Sequence, residues 1–244
     1  MTERGGPQLI PRPPGATQGD PAPWSFLPAE QRVITADSLR AVFTGRVGKS
    51  SIVEAEDTVR PSAVLAPFYD LDGELNVVLT RRSWGLRSHT GEVSFPGGRV
   101  DEGESVREAA LREAYEEIRL EPASVEILGE LDHLMTVTSR SFIVPHVALL
   151  ADVPQLHPNP SEVDAVLHVP VRELLLDDVY REEHWIFQTP PPWVPPDAVV
   201  PDGPVERAIF FFELVGDTVW GATAAMLRHL LGLALDLGVG IDHV

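Results

Sequence analysis

Between Gly98 and Leu120 the chain crowds carboxylates onto what reads as one short helix, and few folds tolerate such crowding. The segment runs Gly98-RVDEG-Glu104-SVREAAL-Arg112-Glu113-Ala-Tyr-Glu116-Glu117-Ile-Arg119-Leu120. Like charges at neighbouring helical positions weaken a helix. Something of opposite charge must compensate, and a bound divalent cation is the simplest candidate. Ser105 followed by Glu108 is a capping box that starts the helix at Val106. At roughly 100° per residue, Glu113, Glu116 and Glu117 share one arc, and Leu111, Ala114, Tyr115 and Ile118 fall on the opposite side. One face is therefore acidic and the other can pack on a core. Arg112 lies four residues from both Glu108 and Glu116 and about two turns from Glu104, so it can hold a carboxylate in one rotamer.

The rest of the composition narrows what could compensate. The formal net charge is −18, and Lys49 is the only lysine. Such a field repels nucleic acid and anionic membranes. It also repels an anionic substrate unless arginines and a metal gather at the site, and Arg81, Arg82, Arg87 and Arg99 do gather just before the acidic helix. Without cysteine there is neither a disulfide framework nor thiol chemistry. The first residues show no apolar signal core, and no apolar run is long enough to span a bilayer, so a cytoplasmic location is expected.

Along the chain, residues 1–30 are rich in proline and glycine and read as a mobile tail. Trp24, Phe26 and Leu27 are its apolar exceptions. The remainder, 31–244, reads as a single domain. A short helix is expected over Asp37–Thr44. Ser62–Tyr69 and Leu75–Arg82 are β-prone runs separated by Asp70-Leu-Asp-Gly73, a hairpin signal. Glu92–Phe95, Val125–Leu131, Ile143–Val153, Ala165–Val169, His184–Gln188 and Ala208–Val215 read as further strands. Helices are expected over Val171–Asp177 and Thr223–Leu235. The proline-rich stretch near 189–204 cannot be a central strand. A lid, a dimer contact and a solvent-facing loop all remain open for it.

The spacing Gly-x5-Glu-x7-Arg-Glu-x-x-Glu-Glu resembles the Nudix box of the Nudix hydrolase family. The resemblance implies an α/β fold, an α/β/α sandwich with a mixed sheet, where periodicity alone implies only mixed α and β. It also implies Mg²⁺ or Mn²⁺ as cofactor. Metal ligands would be Glu113, Glu116, Glu117 and the backbone carbonyl of Gly97. Glu104 would be a partner of Arg112 or an additional ligand. A carboxylate must take a proton from the attacking water. In this family that base is a box glutamate or comes from a later loop, where Glu162 in Asn159-Pro-Ser-Glu162-Val-Asp164 is the best candidate. One position departs from the pattern, because Arg119 stands where the family usually has glycine. Glycine would end the helix in a left-handed turn without steric cost. Arginine there costs on the order of 1 kcal/mol, or the helix ends differently.

The residues preceding the box look like the extended motif of the coenzyme A diphosphatase branch. They read Val78-Leu-Thr80-Arg81-Arg82-Ser83-Trp-Gly-Leu86-Arg87-Ser-His89-Thr-Gly91-Glu-Val-Ser-Phe95-Pro96-Gly97-Gly98, with Val78 in place of a usual leucine. The resemblance implies cleavage of coenzyme A or its thioesters to 4′-phosphopantetheine, or its acyl form, and adenosine 3′,5′-bisphosphate. Arg82 and Arg87 have the planar fork that suits phosphate, and His89 could hydrogen-bond one. The expected partner is a small-molecule nucleotide, with neither nucleic acid nor membrane, and a homodimer stays open. Rival substrates are ADP-ribose, NADH and nucleoside triphosphates. A rival class is a Nudix-fold sensor that binds a nucleotide without cleaving it.

Overall fold

The computed structural model describes residues 4–50, 61–86, 89–135, 142–187 and 204–240. Arg87 and nearly all of the proline-rich stretch lie outside them. In chain order the strands are β1 (Thr17–Gln18), β2 (Pro61–Leu71), β3 (Glu74–Arg82), β4 (Val93–Ser94), β5 (Gly97–Arg99), β6 (Val125–Glu130), β7 (Leu134–Met135), β8 (Phe142–Leu150), β9 (Val163–Pro170), β10 (Tyr180–Phe187), β11 (Val205–Glu213) and β12 (Thr218–Trp220). The α-helices are α1 (Ala36–Phe43), α2 (Val106–Ile118), α3 (Val171–Leu174) and α4 (Gly221–Ala234).

The β2–β3 hairpin shows how local chemistry starts the fold. Asp72 and Gly73 both take positive φ, 54° and 83°, which a two-residue hairpin of the favoured twist requires. The Asp70 carboxylate accepts the Gly73 N–H at 2.8 Å and holds the turn. From this hairpin an eight-stranded mixed sheet grows in the order β4-β3-β2-β8-β6, with β9 paired to β3, β5 to β2 and β7 to β8. The β2–β8 pair at its centre is parallel, Val64 facing Pro145.

Alternation along the central strands divides the core into two faces. Ala63 and Leu65 of β2 with Ala148 and Leu150 of β8 meet Ala109, Ala110, Ala114 and Ile118 of α2. Ala66 and Phe68 of β2 with Val147 and Leu149 of β8 meet Leu39 and Phe43 of α1 and Leu227, Leu230 and Leu231 of α4. The architecture is an α/β/α sandwich around a mixed sheet. A second, antiparallel sheet, β1-β10-β11-β12, adds Phe210 and Phe212 to the α1–α4 side.

Three expectations need correction. Residues 4–30 are not a free tail here. Trp24 is fully buried between Tyr180 and Phe212, with ring centroids 5.6 and 6.3 Å away, and β1 extends the second sheet. Composition suggested disorder, but Trp24 and Ala22 enter the core and Leu27 packs against it, which docks the segment; Phe26 stays exposed. The helix expected over Val171–Asp177 stops at Leu174. Tyr115, expected on the core side of α2, is exposed, and the Arg119 guanidinium lies 5.1 Å from its ring centre.

Candidate active site

The acidic helix starts as its capping box predicts. Ser105 Oγ accepts the Glu108 N–H at 3.2 Å, and the Glu108 carboxylate accepts the Ser105 N–H at 2.9 Å. This occupies Glu108 and leaves Arg112 to the other carboxylates. Arg112 donates Nε and Nη2 to the two oxygens of Glu104, at 2.8 and 3.0 Å, a forked pair. Its Nη1 reaches Glu113 at 3.0 Å and Glu116 at 3.2 Å, and Nη2 also binds the Arg99 carbonyl at 3.0 Å. The arginine thus ties the start of the box, β5 and the middle of α2 into one unit. It holds the Glu104 carboxyl below its usual range.

Two glycines let β5 fit closely between the helix and β2. A Cβ on Gly98 would lie 2.5 Å from the Glu113 carboxyl carbon, and one on Gly97 would lie 2.4 Å from the Ala63 carbonyl oxygen. The Gly97 N–H in turn donates to Glu117 at 3.3 Å. Glu117 is 5% exposed, and that bond does not offset its burial. Burial, opposed by the Gly97 N–H, and then the charges of Glu113 and Glu162 push its carboxyl up to about 8. Glu113 is also raised, first by burial and, against the pull of Arg112, by Glu116 and Glu162.

Glu162 therefore shares a field with Glu113 and Glu117, although it follows them in sequence by more than forty residues. The loop that carries it is sewn to the end of α2: Asn159 N–H binds the Glu117 carbonyl at 2.7 Å, and His157 N–H binds that of Ile118 at 2.9 Å. On the other side the Ser83 N–H binds the Glu162 carbonyl at 2.8 Å. Arg82, next to Ser83, lowers the Glu117 carboxyl through its charge, and its Nε is buried with no hydrogen-bond partner among the described residues.

The other expected site residues are placed differently. Glu116 has a half-exposed side chain and is turned to Arg112. His89 is exposed and pairs with Glu92 at 2.9 Å. Arg87 is outside the described residues. Arg81 does not face the site at all. It spans Asp164 and Asp217, both at 2.9 Å. Those aspartates stand 83 and 136 residues away in sequence, so no local pattern could have revealed the bridge. Arg119 takes φ 57° and ψ 33°, the left-handed turn that glycine usually makes, so the helix ends as the family pattern requires.

The donor set suits a hard divalent ion. It offers oxygen donors only, from carboxylates and the Gly97 carbonyl, it carries excess negative charge, and two of its carboxyls are held above their usual range. Among the described residues, however, no three acidic or histidine side chains stand close enough together to enclose an ion. Arg112 holds Glu113 and Glu116 instead.

A carboxylate-rich helix laid against a glycine-lined strand makes a site suited to a hard divalent cation and an anionic ligand. The NUDIX domain model matches residues 59–189, just over half of the sequence, and the chain belongs to the Nudix family. Nudix hydrolases in general use divalent metal ions. Nudix hydrolase 3 of Caenorhabditis elegans is 42% identical over 127 residues, 51% of this chain and 53% of that protein. Nudix hydrolase 22, chloroplastic, of Arabidopsis thaliana is 33% identical over 215 residues, 83% of this chain and 65% of that protein. NudL of Photorhabdus laumondii, an uncharacterized Nudix hydrolase, is 34% identical over 175 residues, 71% of this chain and 84% of that protein. The chain thus spans about half the length of the worm relative and just under two thirds of the plant one.

Proposed function

We propose that the chain hydrolyses the diphosphate bond of coenzyme A or its thioesters, releasing 4′-phosphopantetheine, or its acyl form, and adenosine 3′,5′-bisphosphate. The observation that carries the reading is the buried Nε of Arg82, without a hydrogen-bond partner among the described residues, on an arginine whose charge acts on Glu117, as do the charges of Glu113 and Glu162. An arginine with donors to spare next to excess carboxylate suits a substrate that is itself an anion and arrives with a cation. The branch-specific part rests on the motif from Val78 to Gly98.

Glu113, Glu116, Glu117 and the Gly97 carbonyl would hold Mg²⁺ or Mn²⁺. Bound there, the ion neutralises diphosphate charge and orients a water. In this reading Arg82 binds a phosphate oxygen. Arg112, paired with Glu104, keeps the helix carboxylates in register. Glu162 takes the proton as water attacks phosphorus and the bridging P–O bond breaks, the leaving phosphate keeping the electron pair.

The test is to incubate the protein with Mg²⁺ or Mn²⁺ and coenzyme A, acetyl-coenzyme A, ADP-ribose, NADH or dGTP, with products read by mass spectrometry. Adenosine 3′,5′-bisphosphate with 4′-phosphopantetheine supports the reading. Cleavage of another compound only keeps the site and discards the substrate. Nucleotide binding without cleavage by folded protein would favour a sensor.

A further inference from the structure

Gln8 lies about fifty residues before the NUDIX match begins, yet it is 7% exposed, and both its amide donors and its amide oxygen are hydrogen-bonded. Its Nε2 donates to the Gly91 carbonyl at 3.0 Å and to Asp217 Oδ1 at 2.7 Å, and its Oε1 accepts the Thr218 N–H at 2.8 Å. The backbone around it is shaped for this approach. The Gly5 N–H binds the Leu214 carbonyl at 2.7 Å and the Gly6 N–H binds Thr218 Oγ1 at 3.1 Å. A Cβ on Gly6 would lie 2.2 Å from Gln8 Oε1 and 2.5 Å from the Asp217 Cα, so no larger residue admits the segment.

Both groups that Gln8 Nε2 touches lead to the candidate site. Gly91 belongs to the β3–β4 connection. Its N–H binds the Arg82 carbonyl at 3.2 Å, and the Arg82 N–H binds the Glu92 carbonyl at 2.9 Å. The Trp84 ring lies directly on Gly91, 2.2 Å from where a Cβ would be. Asp217, 4% exposed, passes the constraint to Arg81, which grips Asp164 two residues beyond Glu162. We propose that Gln8 is a positioning residue: its amide fixes Gly91, and with it Arg82, while Asp217 and Arg81 fix the loop bearing Glu162. The proposal rests on the reading of Arg82 and Glu162 given above. It makes the N-terminal segment part of the catalytic apparatus without contact to substrate.

The experiment uses the full chain with Gln8→Met, which keeps length and loses the hydrogen bonds, and Gln8→Asn, which keeps the amide one methylene short. Steady-state kinetics on the cleaved compound are read beside amide hydrogen exchange at Gly91 and Ser83. Gln8→Met is expected to raise KM about tenfold with kcat within about threefold, because small misplacements of binding groups weaken substrate positioning. Exchange at Gly91 and Ser83 should quicken about tenfold through local opening, with Tm close to the parent. Gln8→Asn should fall between the two, and carries the comparison if Gln8→Met does not fold. Unchanged KM with unchanged exchange at Gly91 and Ser83 overturns the proposal, as does a lowered Tm with neither change. If the panel yields no cleaved compound, the functional reading fails but exchange still decides this one. Faster exchange at both amides supports Gln8 as the anchor, and parental exchange refutes it.

Discussion

Arg112 on α2 and Arg181 on β10 each stand among glutamates, yet Glu113 and Glu117 of the first cluster are raised while Glu183 of the second is lowered. Arg181 pairs with Glu183 and, at 2.6 Å, with Glu213, and its guanidinium lies 3.9 Å from the centre of the Phe211 ring. Glu183 also accepts from Arg12 at 2.7 Å and from Trp185 Nε1 at 2.8 Å. Burial raises the Glu183 carboxyl, but Trp185, Arg12 and Arg181 together outweigh it and hold the group below its usual range. On α2 one arginine serves Glu104, Glu113 and Glu116, and Glu117 accepts from the Gly97 N–H. At Glu113 and Glu117 burial wins. The second sheet is an acidic cluster whose donors match its acceptors, which makes it structural. The helix cluster is left with charge for something else to neutralise, which is what a site for a cation and a polyanion needs.

The contrast breaks first, and by the largest effect, at Glu116→Gln. Turnover at saturating metal should fall by roughly a hundredfold or more, as for lost metal-site groups, while the melting temperature stays close to the parent. Rates near the parent would remove Glu116 from the ligand set. Glu183→Gln should do the reverse, lowering stability by about 1–3 kcal/mol through lost charged hydrogen bonds, with kcat within about threefold. Chemical denaturation and steady-state kinetics on that variant decide the point. An unaltered unfolding midpoint would show that the second cluster is not structural.

Titration sharpens the same contrast. Glu117 has its carboxyl raised from 4.5 to about 8, so the folded protein holds a proton there that the unfolded chain releases. Its contribution to stability is therefore lost as pH rises from about 4.5 through 8. Metal-free protein should melt at a lower temperature at pH 8 than at pH 6. Glu117→Gln or saturating Mg²⁺ should flatten that dependence. Glu183 is depressed, so its contribution is present above the usual carboxylate range and is lost as pH falls through it. Melting curves across pH with and without metal separate the two groups. A slope between pH 6 and 8 that survives Glu117→Gln would assign it to other residues.

The smallest effect is expected at the helix exit. Arg119 already adopts the left-handed turn, at on the order of 1 kcal/mol, and its guanidinium on Tyr115 offsets part of that by about 0.5–1 kcal/mol. Arg119→Gly should therefore change stability by less than about 1 kcal/mol and leave turnover within about twofold. A large gain in turnover would mean that the arginine distorts the carboxylates after all.

Features that depend on near neighbours were legible in the chain alone. Ser105 and Glu108 locate the start of α2, Asp72-Gly73 closes the β2–β3 hairpin, and the spacing of Glu113, Glu116 and Glu117 names the acidic face. Each is set by hydrogen bonds or dihedrals within a few residues, and sequence order preserves those distances. Tyr115 shows the limit of periodicity. It repeats at the right interval for the core, yet it stays exposed with the Arg119 guanidinium over its ring.

What only the tertiary structure decided is how the distant parts answer one another. The sequence by itself determined that carboxylates crowd one helix face shortly after a pair of glycines, and that arginines gather just before it. It could not determine that Glu117 is buried where Glu162 meets it, that Arg81 turns away to Asp164 and Asp217, or that Gln8 closes on Gly91. Burial and unlike-charge pairing are properties of the surroundings in space. Here those surroundings are assembled from segments more than two hundred residues apart, which no window along the chain can contain.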